Sequence, residues 1–171
     1  DELQEISKDQ LAVSDLKQLL DHKPQGQKAV FISYAWDQED KRIEEESSKR
    51  IAKKIEGILL QEGVLAIRDE NVLNWNDDIN SFMSEVIKHP NIDRIILILS
   101  DRYLKRDNCT FELHHLMQRI KQENIYIIKV ETETEKIGSL DKYRIFWKGR
   151  PAKIDLESKI QDMETLFELT I

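Results

Sequence analysis

The segment VFISYAWD, residues 30–37, changes from apolar to polar within two residues. Its first three side chains are those of a buried strand, whereas the next five include a hydroxyl, a phenol, an indole and a carboxylate. Apolar runs of the same kind recur at VLAI (64–67), RIILILS (94–100) and IYIIKV (125–130), and amphipathic helical patterns separate them. Such alternation is typical of a parallel sheet with helices on both faces.

We therefore expect an α/β fold with a flavodoxin-like, open, parallel five-stranded sheet. RIFW (144–147) is predicted to be the fifth strand, and KIDLESKIQDMETLFEL (153–169) a closing amphipathic helix. Residues 1–27 are predicted to be an N-terminal helix and a linker, because Pro24 and Gly26 interrupt the helical pattern. Residues 28–171 then form the main domain.

The composition restricts the possible partners of this 171-residue chain. It carries 26 Lys and Arg against 33 Asp and Glu, a formal charge of −7, which argues against binding to nucleic-acid phosphates. No apolar run approaches the ~18 residues of a membrane span, so no membrane contact is expected. One cysteine indicates a reducing compartment, and we expect a cytoplasmic location. The chain begins with Asp rather than Met, which predicts a missing sensor or oligomerisation domain.

Polar residues follow the first three predicted strands. Ser33-Tyr34-Ala35-Trp36 follows the first strand, Arg68-Asp69 the second and Ser100 the third. The carboxyl ends of parallel strands lie at one edge of the sheet, where ligands bind in folds of this class. The alternative is that these strand ends are polar only because they meet water.

Glu112 lies at the margin of an apolar helical stripe formed by Cys109, Leu113, Leu116, Met117 and Ile120. Its carboxylate is expected to face apolar neighbours on one side and the sheet edge on the other. The alternative interpretation is that Glu112 merely complements the dipole in the first turn of its helix. Cys109 is itself interpreted as a small core residue rather than a nucleophile.

Other kinds of site are disfavoured by the sequence. Five unclustered glycines do not form a phosphate-binding loop. His114 and His115 diverge on a helix and make a poor metal site, so no metal is expected. A phospho-acceptor receiver domain would need an acidic pair after the first strand and an aspartate ending the third, and neither is present.

Four segments together resemble a Toll/interleukin-1 receptor (TIR) domain of the bacterial type. VFISYAWD resembles the first box of that family, and Arg68-Asp69 with the loop to Trp75 resembles its second box, the BB loop. IILILSDRYLKRDNCTFEL (95–113) resembles the stretch that carries the Cys-x-x-Glu-Leu motif, and IFW (145–147) resembles the third box. The chain departs from the family in having Asn74-Trp75 where a loop glycine is usual, and Asn108 where tryptophan is common.

The resemblance implies an NAD+ glycohydrolase that breaks the nicotinamide–ribose bond. It implies that Glu112 is catalytic, that NAD+ is a substrate and that no cofactor is needed. The product could be linear or cyclic ADP-ribose. The implied substrate-binding residues are Ser33, Tyr34, Ala35, Trp36, Arg68, Asp69, Trp75, Ser100 and Cys109.

A second function remains open, that of a non-catalytic module which binds other TIR domains in signalling. Retention of Glu112 favours the enzyme, since a scaffold needs no carboxylate at that position. The two functions are compatible, because self-assembly often completes the active site in this family. We therefore expect a homo-oligomer on activation, in a defence or signalling protein.

Overall fold

The structure, a computed structural model, describes residues 13–35, 48–68, 82–119, 124–130 and 136–169. None of the helices within these ranges combines the length and the hydropathy that a membrane span requires. The helices are α1 (Val13–Asp21), α2 (Ser48–Gln61), α3 (Asp101–Leu104), α4 (Asp107–Arg119), α5 (Leu140–Trp147) and α6 (Leu156–Leu169), with a π-helix at Phe82–Ile87. The strands are β1 (Ala29–Ser33), β2 (Leu65–Arg68), β3 (Arg94–Leu99) and β4 (Ile125–Lys129).

The strands form one parallel sheet in the order β2-β1-β3-β4. In its register Ile32 of β1 lies beside Arg68 of β2, and Ser33 lies beside Leu97 of β3. Consecutive parallel strands need crossover connections, and the helices between them supply these. The predicted parallel α/β fold is confirmed, and the ends of β1, β2 and β3 share one edge.

The side chains of β1 alternate between two cores, as those of any strand must. Ala29 and Phe31 belong to the larger core, which α1, α4, α5 and α6 also supply. Val30 and Ile32 belong to a smaller core on the opposite face, beneath α2. The sheet therefore carries helices on both faces, and successive residues at the end of β1 point in opposite directions.

The prediction of a fifth strand at residues 144–147 is wrong, because these residues lie in helix α5. Tyr143 and Trp147 are buried four positions apart, whereas Ile145 between them is 75% exposed. That spacing places both aromatic rings on one face of a helix. A run of three apolar residues, Ile145 to Trp147, is too short to distinguish a strand from a helix by its pattern. In the described ranges the sheet has four strands.

Helix α1 belongs to the same core as the rest of the described chain. Its Val13, Leu16 and Leu20 side chains are buried in the larger cluster. At its carboxyl end, His89 Nε2 lies 2.6 Å from Asp21 Oδ1, and Asn91 Nδ2 donates to the Leu20 carbonyl at 2.7 Å. The helix therefore contributes apolar burial and specific polar contacts to the domain.

Candidate functional site

Glu112 and Ser33 meet above the carboxyl end of β1. Ser33 is the last residue of that strand, and its Oγ donates to Glu112 Oε1 at 2.5 Å. Both residues are buried, and Glu112 is only 1% exposed. The predicted proximity of the first strand's end and the glutamate is therefore present. The carboxylate lies beneath the surface of the chain, where a low dielectric strengthens its electrostatic interactions.

Tyr103 is a third member of this cluster and was not identified from the sequence. Its hydroxyl lies 2.7 Å from Ser33 Oγ, and the residue is fully buried. A serine hydroxyl has a single proton. Because Ser33 gives that proton to Glu112, Tyr103 must be the donor to Ser33. The result is a directed chain from Tyr103 through Ser33 to the carboxylate, which we call the Glu112 chain.

Ser100 positions Tyr103. It is the N-cap of α3, and its Oγ accepts from the Tyr103 backbone N–H at 3.1 Å. A serine followed three residues later by a helical N–H is a common capping arrangement. This Ser100–Tyr103 spacing, directly after a buried strand, is the sequence signal that could have identified the tyrosine.

Cys109 and Ala35 line the apolar side of the same region. Cys109 is buried, and its Sγ lies 3.9 Å from the Tyr34 carbonyl oxygen. Ala35 is also buried in the larger core. Cys109 is thus a small core residue that packs beneath the end of β1.

Tyr34 and Arg68 lie on the opposite face of the sheet from the Glu112 chain. Arg68 donates through its NH1 group to the Tyr34 hydroxyl at 2.7 Å and through Nε to Glu56 Oε2 at 2.9 Å. Glu56 comes from α2, which covers this face. The structure therefore separates the predicted site residues into two groups, one on each face of the sheet.

Trp36, Asp69 and Trp75 lie outside the described residues, so their predicted contacts with substrate remain predictions. The segments that contain them directly follow β1 and β2. Ala35 and Arg68 are the last described residues before these segments.

A buried lysine ties the helix that carries Glu112 to the closing helix. Lys159 Nζ of α6 lies 3.2 Å from Asp107 Oδ1, contacts Thr110 Oγ1 and sits 3.8 Å from the centroid of the Trp147 ring. Burial lowers the pKa of Lys159, and the Asp107 carboxylate partly opposes this effect. These contacts fix the first turn of α4, one turn before Glu112.

A cavity of about 230 Å³ lies beside Lys159 and away from the predicted site residues. It is formed by the end of α5, the connection that follows and the first turn of α6. None of the site residues predicted from the sequence lines it. A binding site at Glu112 therefore needs space other than this cavity.

The two adjacent histidines have different main partners, and their ring centroids lie 6.0 Å apart in an edge-to-face arrangement. His114 Nδ1 lies 2.9 Å from Asp162 Oδ2, and the Phe111 ring contacts the His115 ring edge to face. Burial raises the pKa of Asp162 although His114 opposes this, and burial lowers the pKa of His115. Among the described residues, no three or more His, Cys, Asp or Glu side chains group as metal ligands do.

Comparison with known proteins supports one family. A comparison with curated proteins gives no match. The family model described as TIR domain matches residues 30–167, well over half of the chain. That range begins within β1 and ends within α6, and it includes both groups of site residues. The chain therefore belongs to the TIR domain family.

Proposed function

We propose that this TIR domain cleaves NAD+ at the nicotinamide–ribose bond, with Glu112 as the catalytic carboxylate. TIR domains include NAD+-cleaving enzymes as well as scaffolds. The observation that carries the proposal is the hydrogen bond from Ser33 to Glu112, at the sheet edge where folds of this class bind ligands. It fixes one carboxylate oxygen and orients the other.

The chemistry requires few protein groups. In most glycosidases one carboxyl group must protonate the leaving oxygen. Nicotinamide leaves from a cationic pyridinium, so the bond between ribose C1′ and the ring nitrogen breaks with its electron pair going to nitrogen, and no general acid is needed. A carboxylate near the ribose stabilises the positive charge that develops on the sugar. Water then bonds to C1′ and loses a proton, which gives ADP-ribose.

The Glu112 chain suits this role in a specific way. A carboxylate that accepts a hydrogen bond from Ser33 is held in one rotamer, so little reorganisation is needed as charge develops. The Tyr103 hydroxyl, 2.7 Å from Ser33 Oγ, holds the serine hydroxyl in place. We therefore assign Ser33 and Tyr103 as residues that orient Glu112, with Glu112 as the group that meets the ribose.

The burial of Glu112 bears on how the activity would be controlled. A carboxylate that is 1% exposed is not reachable by a dinucleotide unless neighbouring segments move. TIR domains commonly interact with other TIR domains. We propose that such self-assembly opens or completes the site, so that dilute protein is a poor enzyme.

The second candidate is a scaffold that binds other TIR domains without catalysis, and the same burial favours it. A glutamate that is buried and hydrogen-bonded could serve the fold alone. The two candidates differ in what Glu112→Gln does. The amide keeps the volume of the side chain and still accepts from Ser33, so the fold should survive in both cases, while catalysis needs the charge.

The discriminating experiment measures nicotinamide release from NAD+ at high protein concentration. Glu112→Gln should lower the rate by orders of magnitude, with little change in melting temperature. Glu164→Gln, at an exposed position on α6, removes the same charge and should keep full activity. Full activity in Glu112→Gln would refute the assignment, and no cleavage by the wild-type chain at any concentration would favour the scaffold.

A further inference from the structure

Three buried side chains form a polar network on the α2 face of the sheet, which we call the Arg68 network. Arg68 lies between Glu56, at 2.9 Å, and the Tyr34 hydroxyl, at 2.7 Å. The Arg68 and Glu56 side chains are each 9% exposed, and Tyr34 is fully buried. Buried ion pairs contribute little net stability compared with apolar residues of the same size. The network therefore suggests a role in fixing geometry.

The position of the network explains which geometry it fixes. Arg68 ends β2 and Tyr34 directly follows β1, so the hydrogen bond between their side chains links the carboxyl ends of two neighbouring strands. Tyr34 also touches the other face, because its carbonyl oxygen lies 3.9 Å from Cys109 Sγ of α4. The residue thus links the two faces of the sheet at the point where β1 ends.

Ser33 is bonded directly to Tyr34, and it points to the face opposite the Tyr34 ring. A rotation of the backbone at Tyr34 would move the Ser33 hydroxyl relative to Glu112, which lies only 2.5 Å away. Arg68 restrains that backbone through the Tyr34 side chain, because its planar guanidinium directs one donor to the Tyr34 hydroxyl and another to Glu56 along fixed lines. The network and the Glu112 chain are therefore mechanically connected through one peptide unit.

We propose that Arg68 and Glu56 are positioning residues that hold the end of β1, through Tyr34, so that Ser33 keeps its hydrogen bond to Glu112. This role is an alternative to the substrate contact that the resemblance implies for Arg68 and Tyr34, which stays a prediction. The effect of this role on catalysis rests on the proposed NAD+ cleavage. Its effect on the opening of the chain at the end of β1 does not, so the two effects can be measured separately.

The structural measurement uses Cys109, the single cysteine of the chain, as a reporter. Its buried thiol reacts with an aromatic disulfide reagent only when the region around the end of β1 opens. Tyr34→Phe removes one hydroxyl and should raise the reaction rate about tenfold, since a hydrogen bond to a charged group is lost. Glu56→Gln should raise the rate as well. Arg68→Lys should also raise it although the positive charge is kept, because lysine lacks the guanidinium fork.

The control is His89→Gln, which disturbs a part-buried polar contact with Asp21, in the segment that precedes the amino end of β3. It should lower the melting temperature without changing the Cys109 rate. If His89→Gln raises the rate as much as Tyr34→Phe does, or if neither Tyr34→Phe nor Glu56→Gln changes it, the network serves stability alone and the proposal is wrong.

The kinetic measurement applies if the chain cleaves NAD+. Tyr34→Phe should lower kcat several-fold and leave KM nearly unchanged, because the hydroxyl acts on Glu112 through Ser33 and not on the substrate. A raised KM with an unchanged Cys109 rate would instead establish substrate contact and overturn the proposal. If the wild-type chain has no activity, the Cys109 rates still decide whether the network positions the end of β1.

Discussion

Ser33 Oγ and Glu112 Oε1 lie 2.5 Å apart although 79 positions separate the two residues in sequence. The serine ends a central strand, and the glutamate lies one turn into a helix on the larger core. The contact therefore forms only when the sheet and that helix have docked. Removing the hydrogen-bond donor of a buried carboxylate lowers the free energy of unfolding. The pair therefore affects stability as well as the proposed chemistry.

We expect Ser33→Ala to destabilise the protein by about 1–3 kcal/mol, because it removes the donor to a buried carboxylate and the acceptor of the Tyr103 hydroxyl. Chemical denaturation monitored by fluorescence measures this change. Ser139→Ala is the matched control, since Ser139 is exposed and its side chain makes no capping hydrogen bond. Equal stability of the two variants would contradict the Glu112 chain.

We expect Ser33→Ala and Tyr103→Phe to be strongly non-additive. Both substitutions interrupt the same chain of hydrogen bonds, so the second should cost less once the first is made. The coupling energy should be about 0.5–3 kcal/mol, the range found for residues in one network. Additive effects within experimental error would show that Tyr103 does not act through Ser33.

The contacts of the Asp101 carboxylate predict that the protein loses stability in acid. It accepts hydrogen bonds from Lys105 and Lys142, each at 3.0 Å, and from the Tyr143 hydroxyl at 2.8 Å. Burial acts to raise the pKa of Asp101, but these three donors outweigh it and hold the pKa below the ordinary value of 3.8. The stabilisation is thus complete above the unfolded pKa and is lost as pH falls through the folded pKa.

Asp101→Asn should therefore flatten the dependence of unfolding free energy on pH at and below the ordinary aspartate pKa. Asp141→Asn removes an exposed carboxylate from α5 and should leave that dependence almost unchanged. Denaturation curves across the acid range test both variants. If the unfolding free energy falls equally steeply with decreasing pH in the wild type and in Asp101→Asn, this cluster does not have the proposed role.

The boundary between residues 27 and 28 can be tested by truncation. Helix α1 buries Val13, Leu16 and Leu20 in the larger core, and burying each such side chain is worth about 1.5–3 kcal/mol. That sum is comparable to the whole stability of a typical domain, about 5–15 kcal/mol. A chain that starts at residue 28 should unfold readily or aggregate. A truncated protein as stable as the full chain would show that α1 is dispensable.

The strands and their common edge could be predicted because they depend on local patterns. A run such as residues 94–100 is apolar on both faces, as only a strand inside a parallel sheet needs to be. The proximity of Ser33 and Glu112 follows from the rule that parallel strands end at one edge. These features require no knowledge of how individual side chains pack.

The partners across the sheet could not be predicted in the same way. The sequence pattern groups Ser33 and Tyr34 in one polar cluster, although strand alternation sends their side chains to opposite faces. Tyr103 joins Ser33 across 70 positions through tertiary packing alone. Residues 144–147 proved helical because burial of Tyr143 and Trp147 against the larger core decides the structure of a short apolar run.

We expect specific activity to rise more than linearly with protein concentration, since self-assembly is proposed to open the route to Glu112. Trp75→Ala should flatten this rise, because the resemblance of the segment that contains residue 75 to the BB loop implies that this segment takes part in assembly. Light scattering on the same samples relates the oligomeric state to the specific activity. Constant specific activity from dilute to concentrated solution, with a monomer throughout, would show that the isolated chain is already competent.

The most direct test of the proposed function is chromatography of NAD+ after incubation with concentrated wild-type protein and, in parallel, with Glu112→Gln. We predict that the wild-type protein releases nicotinamide together with an equal amount of linear or cyclic ADP-ribose. The variant should release almost none, although its melting temperature equals that of the wild type. Nicotinamide released at the same rate by both proteins would contradict the assignment of Glu112 as the catalytic carboxylate.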